Sequence, residues 1–253
     1  MDLQLTGLRA VVTGGTRGIG RAIVDSLAAE GAAIAFCART EADVEAAVVE
    51  LTDAGTQAVG GAVDVADGPS LAAWVRESAE ALGGLDIVVA NVSALAIGPD
   101  ERKWQASFEV DLMHTVHLID AAMPFLEKSE AASIVVVSSV SGREVDFAAP
   151  AYGSLKAALV HHTQSLAFQL ADKGIRANSV SPGKVFFPGG IWERAKNGNP
   201  ELYNQALALN PTGRMGRPGE VACAVTMLAS PRASFITGTN LVVDGALTRG
   251  IQL

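Results

Sequence analysis

From one end of the chain to the other, short apolar runs alternate with longer helical stretches, and neither a linker nor a composition break interrupts them. That alternation constrains the fold more than any other feature, because strands separated by helix-length segments pair in parallel and carry helices on both faces. The runs are 9–13, 33–37, 58–63, 87–90, 134–137, 176–180 and 240–243. Most are continuously apolar, as suits strands covered on both sides. Helices are expected over 18–30, 41–54, 69–82, 101–127, 151–173 and 218–229, and Thr40-Glu41-Ala42-Asp43 reads as a capping box opening the second of them. With 253 residues, 49% of them hydrophobic, the chain fills one core but not two ordinary enzyme domains, so one α/β domain over 1–253 is expected. The segment 184–210 breaks the rhythm. It is punctuated by Pro188-Gly189-Gly190 and Asn197-Gly198-Asn199-Pro200, yet carries Phe186, Phe187, Trp192 and Tyr203, and it reads as a lid.

Composition removes several classes of function. A formal charge of −8 offers no basic footprint for nucleic acid, and no stretch approaches the roughly 18 apolar residues of a membrane span. Cys37 and Cys223 are the only cysteines and form no Cys-x-x-Cys pair, which excludes a disulfide framework and a zinc cluster. His114 and His117 stand three apart, but no carboxylate or cysteine partner at suitable spacing joins them, so no metal site is expected. Met1-Asp2-Leu3-Gln4 lacks the basic start of a secretory signal, and a cytoplasmic location is the expectation.

Directly after the first strand comes Thr13-Gly14-Gly15-Thr16-Arg17-Gly18-Ile19-Gly20, and a helix follows. Glycines let the backbone approach a pyrophosphate, and the unpaired N–H groups at the helix start favour its negative charge. Dinucleotide sites that take NAD place an acid at the end of the second strand for the ribose 2′-hydroxyl. Here that place holds Ala38-Arg39. Arg39 and Arg17 are suited to a 2′-phosphate, favouring NADP(H) while leaving NAD(H) possible. The other reading has Arg39 stacking on adenine and Arg17 solvated. Asp64, closing the third strand, is either an adenine contact or a turn residue.

Tyr152 and Lys156 lie four apart at the start of a helix, so phenol and ammonium share one face. Carbonyl reduction needs a proton for the developing alkoxide, and alcohol oxidation needs one removed. A free tyrosine, at about 10, is too weak an acid. A cation about 4 Å away, worth on the order of 4 kcal/mol at an effective dielectric of 20, would lower that value by roughly three units. Ser139 follows the fifth strand, where open α/β sheets place their ligands, and can donate to a substrate oxygen. Ser138 reads more readily as closing the turn. No Gly-x-Ser-x-Gly elbow supports a serine hydrolase.

Taken together, Thr13-Gly14-x-x-x-Gly18-x-Gly20, Asp64-Val65, Asn91, Ser139, Tyr152-x-x-x-Lys156 and Ser181-Pro182-Gly183 resemble the short-chain dehydrogenase/reductase family over nearly the whole chain. The resemblance implies a Rossmann-type, doubly wound, mostly parallel seven-stranded sheet with helices on both faces. It also implies hydride transfer between a nicotinamide and a carbonyl or alcohol. By position, Tyr152 would be the acid/base, Lys156 would bind the nicotinamide ribose and acidify Tyr152, and Ser139 would orient the substrate. Gly14, Thr16, Arg17, Gly18, Ile19, Gly20, Arg39, Asp64, Val65, Asn91, Pro182 and Gly183 would line the coenzyme.

Three departures stand out. Ala90-Asn91-Val92-Ser93 replaces the family's Asn-Asn-Ala-Gly, and Asp111 occupies the place of an Asn that holds a helix distortion supporting a water chain to the Lys. Phe187 stands where a threonine often contacts the carboxamide. The resemblance further implies a homo-oligomer, with the histidines on 101–127 and 151–173 at a subunit contact. The expected substrate is a fairly apolar carbonyl compound or alcohol. A non-catalytic NADP-binding regulator on the same fold is the alternative.

Overall fold

The computed structural model describes residues 2–146 and 150–250. Seven strands, β1 (Arg9–Thr13), β2 (Ala33–Ala38), β3 (Ala58–Ala62), β4 (Ile87–Ala90), β5 (Ser133–Val137), β6 (Arg176–Pro182) and β7 (Asn240–Val243), form one sheet in the order β3-β2-β1-β4-β5-β6-β7. All six pairings are parallel, with Val11 opposite Ala35 on one side and Val88 on the other. The fold therefore has the expected doubly wound form, parallel throughout.

Two cores follow from this arrangement. Helices α1 (Gly18–Ala29), α2 (Glu41–Asp53) and α9 (Pro218–Ala229) cover one face, where Ile23, Val24, Leu27, Val44 and Val225 meet Val12, Ile34 and Val135. The opposite face is packed by α3 (Gly68–Leu82), α5 (His114–Leu126) and α6 (Ala151–Leu170), with Leu71, Leu118 and Leu159 against Val11, Val88 and Val136. Each fully buried Val, Leu or Ile contributes about 1.5–3 kcal/mol. Alternate side chains of every central strand thus go to different cores, which is why those strands read as continuous apolar runs.

Helix ends follow local chemistry, with one correction. Thr40 precedes α2 but makes no side-chain capping bond, so the expected capping box does not form, and Glu41 and Asp43 instead place negative charge in the first turn. Asp67 does cap α3, accepting from the Ser70 backbone N–H at 3.1 Å, and Gly83 ends that helix in the left-handed region.

Two longer expectations also change. The helix expected over 101–127 is α4 (Glu101–Ser107), a π-helical turn (Phe108–Met113) and α5. The segment 184–210 contains α7 (Ile191–Gly198) and α8 (Pro200–Ala208), divided at Asn199, whose side chain accepts from the Leu202 N–H. Phe186, Trp192, Tyr203 and Met215 pack there into a small core of their own. No helix among the described residues is long and apolar enough to cross a membrane.

Candidate active site

Strand order reverses between β1 and β4, and a crevice opens at their carboxyl ends, as the winding of the chain requires. The cleft there measures 680 Å³. Gly14, Thr16, Arg17, Ile19 and Gly20 reach it from the first turn, and Arg39, Asp64 and Val65 from the next two strand ends. Asn91, Ser139, Tyr152, Lys156, Pro182 and Gly183 complete it. Gly18 and Asp111 are not on its surface. Gly18 lies under the Phe187 ring, and Asp111 is fully buried behind Lys156.

The glycine turn is built for close approach. Gly14 and Gly15 donate their N–H groups to the Cys37 carbonyl at 2.8 and 3.1 Å, tying the turn to β2. Gly14 has φ +74°, and a Cβ there would lie 2.9 Å from the Val92 side chain. A Cβ at Gly20 would collide with the Gly14 carbonyl oxygen. These constraints leave the start of α1 open to the cleft, and the residues present fit a dinucleotide pyrophosphate. Arg17 and Arg39 are exposed, and among the described residues neither has a carboxylate within ion-pairing distance. Asp43 lines the same end of the cleft. Asp64 accepts from the Ala66 N–H at 3.1 Å, so it closes its turn as well as facing the cleft.

The expected reactive groups converge. Lys156 Nζ lies 5.7 Å from the centre of the Tyr152 ring and donates to the Val137 carbonyl at 3.1 Å. A hydrogen bond joins Ser139 to Tyr152, and Ser139 Oγ accepts from the Ser141 N–H at 3.1 Å. Ser138 instead donates to the Lys156 carbonyl at 2.8 Å, fixing α6 against β5.

Beneath them Asp111 Oδ1 stands 3.1 Å from Lys156 Nζ in an ion pair that is almost wholly buried. That oxygen has no directed hydrogen bond, so the contact is one of charge. The other oxygen accepts from the Ala94 N–H at 3.4 Å, and the Asp111 carbonyl accepts from the Thr115 hydroxyl at 3.0 Å.

This pair corrects the expected acidification of Tyr152. Burial pushes the phenol above its ordinary value; Lys156 and the Ser139 hydrogen bond pull it down, while Asp111 and Asp146 push it up. The amine does act in the expected direction. Its effect is offset by the carboxylate beside it and outweighed by loss of water.

Another correction concerns His114, which does not stand at a surface awaiting a subunit contact. It is fully buried, with Nδ1 2.9 Å from the Val110 carbonyl and Nε2 3.0 Å from Thr13 Oγ1. A carbonyl only accepts, so Nδ1 carries the proton and Nε2 accepts from Thr13. Thr13 Oγ1 in turn accepts from the Asn91 N–H, and Asn91 Nδ2 donates to the Thr13 carbonyl, both at 3.1 Å. The π-turn is thereby braced against the coenzyme end of the cleft. The sequence places Thr13 at the end of β1 and the head of the glycine motif without giving it a partner; the signal for one is a hydroxyl ending an otherwise apolar run.

His114 is neutral because burial, with some help from Lys156, takes it from the ordinary 6.5 down to about 4. Between those values the unfolded chain binds a proton that the folded chain refuses. Stability is therefore full above pH 6.5 and falls as pH drops toward 4, by roughly 3 kcal/mol. Urea midpoints across that window should fall less steeply for His114→Gln than for the wild type; equal slopes would remove His114 as the cause. Among the described residues no group of three metal-ligating side chains forms.

Comparison with known proteins points the same way. The profile of the family described as enoyl-(acyl carrier protein) reductase matches residues 14–248. The chain is 44% identical to isoepoxydon dehydrogenase of Penicillium expansum, over 98% of this chain and 97% of that protein. It is 33% identical to a 3-oxoacyl-[acyl-carrier-protein] reductase of Vibrio cholerae, over 97% and 99%. Among solved structures, an NADPH-bound short-chain oxidoreductase from Pseudomonas aeruginosa, described as containing an atypical catalytic center, is similar with a TM-score of 0.91 and 30% identity, covering 97% of this chain and 99% of that one. A 7α-hydroxysteroid dehydrogenase complexed with NADH and a 7-oxo bile acid has a TM-score of 0.90 and 28% identity, covering 97% and 96%.

Proposed function

The chain belongs to the short-chain dehydrogenase/reductase family, and within it we propose that this protein is an NADP(H)-dependent oxidoreductase acting on a carbonyl compound or secondary alcohol with a largely apolar skeleton. The observation that carries this reading is the convergence of Ser139, Tyr152 and Lys156 in one cleft with the glycine turn. When bound, the coenzyme supplies or accepts the hydride at its nicotinamide. Ser139 donates a hydrogen bond to the substrate oxygen. Tyr152 gives its phenolic proton to that oxygen as it becomes an alcohol, and takes it back in the reverse direction. Lys156 holds positive charge below the phenol, favouring its ionised form.

Gly14, Thr16, Ile19 and Gly20 would hold the pyrophosphate end, with Asp64, Val65 and Asn91 flanking the adenosine and Pro182 and Gly183 the nicotinamide. Arg17 and Arg39 would take the 2′-phosphate, and NAD(H) would bind more weakly. Leu95, Ile97, Val140, Ile191, Trp192 and Leu247 supply most of the apolar surface of the remaining wall and support an apolar skeleton, while Ser93, Asp146, Lys184 and Arg194 line the same cleft. The segment 184–210 would act as the lid; Phe187 already packs where a Cβ on Gly18 would be, with Cε2 2.6 Å from that position. A homo-oligomer is also proposed, supported by Phe168 and Phe235, large apolar side chains that stand exposed.

The test is a panel of ketones and secondary alcohols assayed through the near-ultraviolet absorbance of the reduced coenzyme. Turnover of at least one member supports the reading, whereas tight coenzyme binding without any turnover would favour a regulator. In the same assay Arg39→Ala should raise KM for NADPH about 10- to 100-fold more than KM for NADH, since a charge-assisted contact is worth about 1.5–3 kcal/mol. Equal effects on both coenzymes would remove the 2′-phosphate assignment.

A further inference from the structure

After β7 the chain turns sharply beside the cleft. Asp244 Oδ1 accepts from the Ala246 N–H at 2.9 Å, and its Oδ2 accepts from the Thr248 N–H and hydroxyl at 2.8 and 2.7 Å. Within this turn Ala246 stands at φ +65°, a left-handed conformation that strains a residue with a Cβ and persists only where the surroundings over-determine it. Among the described residues three non-glycine residues have such a φ, namely Gln4, Leu95 and Ala246. Leu95 lines the cleft, and Ala246 immediately precedes Leu247, which lines it as well. Two of the three strained positions thus belong to the cleft wall.

The segment 244–250 is fixed at both ends. At its start the Gly183 N–H donates to the Val243 carbonyl at 3.0 Å, and a Cβ on Gly183 would lie 2.7 Å from Asp244 Cβ, so the turn is pressed against the end of β6. At its far end Glu144 Oε1 accepts from the Arg249 and Gly250 N–H groups at 3.2 and 3.3 Å. Glu144 is in turn held at a set distance from Ser139. The Ser139 carbonyl accepts from the Gly142 N–H at 3.0 Å, the Val140 carbonyl accepts from the Arg143 and Glu144 N–H groups at 2.8 and 3.0 Å, and a Cβ on Gly142 would lie 2.6 Å from the Lys156 carbonyl carbon. The anchors of the segment are therefore the Pro182-Gly183 end of β6 and the turn that begins at Ser139, which puts the half-buried Leu247 on the side of the reacting groups and not of the glycine turn. Ser93, Asp146, Lys184 and Arg194 line the cleft too and can answer polar groups of a substrate, but its bulk is met by the apolar wall. Of that wall, Ile191 and Trp192 come from α7 and Leu95 and Ile97 from the loop after β4; Leu247 is what the anchored turn adds.

We propose that Leu247 sets the size of the substrate, with the turn at Asp244 and the latch at Glu144 holding its side chain where a bulky skeleton meets it before the carbonyl reaches Ser139 and Tyr152. This rests on the oxidoreductase reading above and deepens it by naming a residue that limits which ketones and alcohols fit. The discrimination is steric. In an apolar pocket one methylene more or less changes kcat/KM by about 10- to 200-fold, and a leucine cut back to alanine frees the space of three carbons.

The experiment takes the ketone of the panel above that the wild type reduces best and compares it, by kcat/KM with NADPH, with its derivatives carrying one added methyl or tert-butyl group. Leu247→Ala should shift the ratio of branched to parent ketone by about 10-fold or more in favour of at least one branched derivative, and Leu247→Phe should shift the same ratio the other way. Glu144→Ala, which releases the segment without altering Leu247, should move the ratio in the direction of Leu247→Ala by a smaller factor. NADPH affinity should stay within about twofold of the wild type in all three variants. Ratios that stay put in both Leu247 variants, or that move the same way in both, overturn the inference. Loss of NADPH affinity in parallel with turnover in Leu247→Ala also overturns it, since the segment would then support the coenzyme and not the substrate. If Leu247→Ala fails to fold, the ratios in Leu247→Phe and Glu144→Ala decide in the same way. Failure of the wild type to reduce any ketone of the panel is a distinct result, which removes the oxidoreductase reading and this inference with it.

Discussion

Replacing Tyr152 by Phe is expected to lower kcat by about 10²- to 10⁴-fold, the range ordinarily supplied by a positioned general acid/base. The substitution deletes one oxygen and leaves the ring in place, so α6 keeps its packing and Lys156 keeps its hydrogen bond to Val137 and its ion pair with Asp111. Coenzyme affinity, measured by quenching of intrinsic fluorescence, should change far less than turnover, because the glycine turn is fixed by β1, β2 and Asn91. Full kcat in the Tyr152→Phe enzyme would mean that the proton travels through some other group. Parallel losses of kcat and coenzyme affinity would mean that Tyr152 shapes the site without serving as its acid.

Replacing Asp111 should produce the largest loss of stability. Removing one partner of a buried pair leaves the other charge uncompensated, and for Asp111→Ala that loss is about 3–5 kcal/mol. Asp111→Asn retains an acceptor for Lys156 and should cost less, and its main effect lies in the pH profile. The Asp111 carboxylate raises the Tyr152 pKa, so neutralising it lets the phenol ionise at lower pH. In alcohol oxidation the phenolate is the competent form, and the rising limb of kcat/KM against pH should therefore move to lower pH in Asp111→Asn. A limb that stays put, or moves up, would show that the carboxylate does not act on the phenol.

Much of this is legible in the chain because single residues report strong constraints. Runs such as Ile87–Ala90 are apolar at every position since two cores claim alternate side chains, and that pattern is enough to define a parallel sheet. Glycines at 14 and 20 mark a backbone that no Cβ can share, and Tyr152-x-x-x-Lys156 needs only helical periodicity to bring its groups together.

What escapes reading depends on contacts distant in sequence. Thr13 and His114 are 101 residues apart, and nothing local distinguishes a buried, bonded histidine from one on a surface. Position alone singles out Asp111, but its direct pairing with Lys156 requires the π-turn to bring the carboxylate inward. The capping box at Thr40 matches a pattern that side-chain geometry does not honour. The sign of the Tyr152 shift is hidden for a related reason, since spacing reveals the ammonium but not the amount of water lost around the phenol.

Only two tyrosines occur in the chain, which makes ionisation of the catalytic one directly observable. With Tyr203 replaced by Phe, the remaining phenolate absorbance belongs to Tyr152, and it can be titrated in otherwise native protein with and without the additional change Lys156→Met. The ammonium pulls the phenol down, so removing it should move the titration to higher pH. Identical titrations with and without Lys156 would contradict the electrostatic coupling of the pair on which the proposed acid/base chemistry rests.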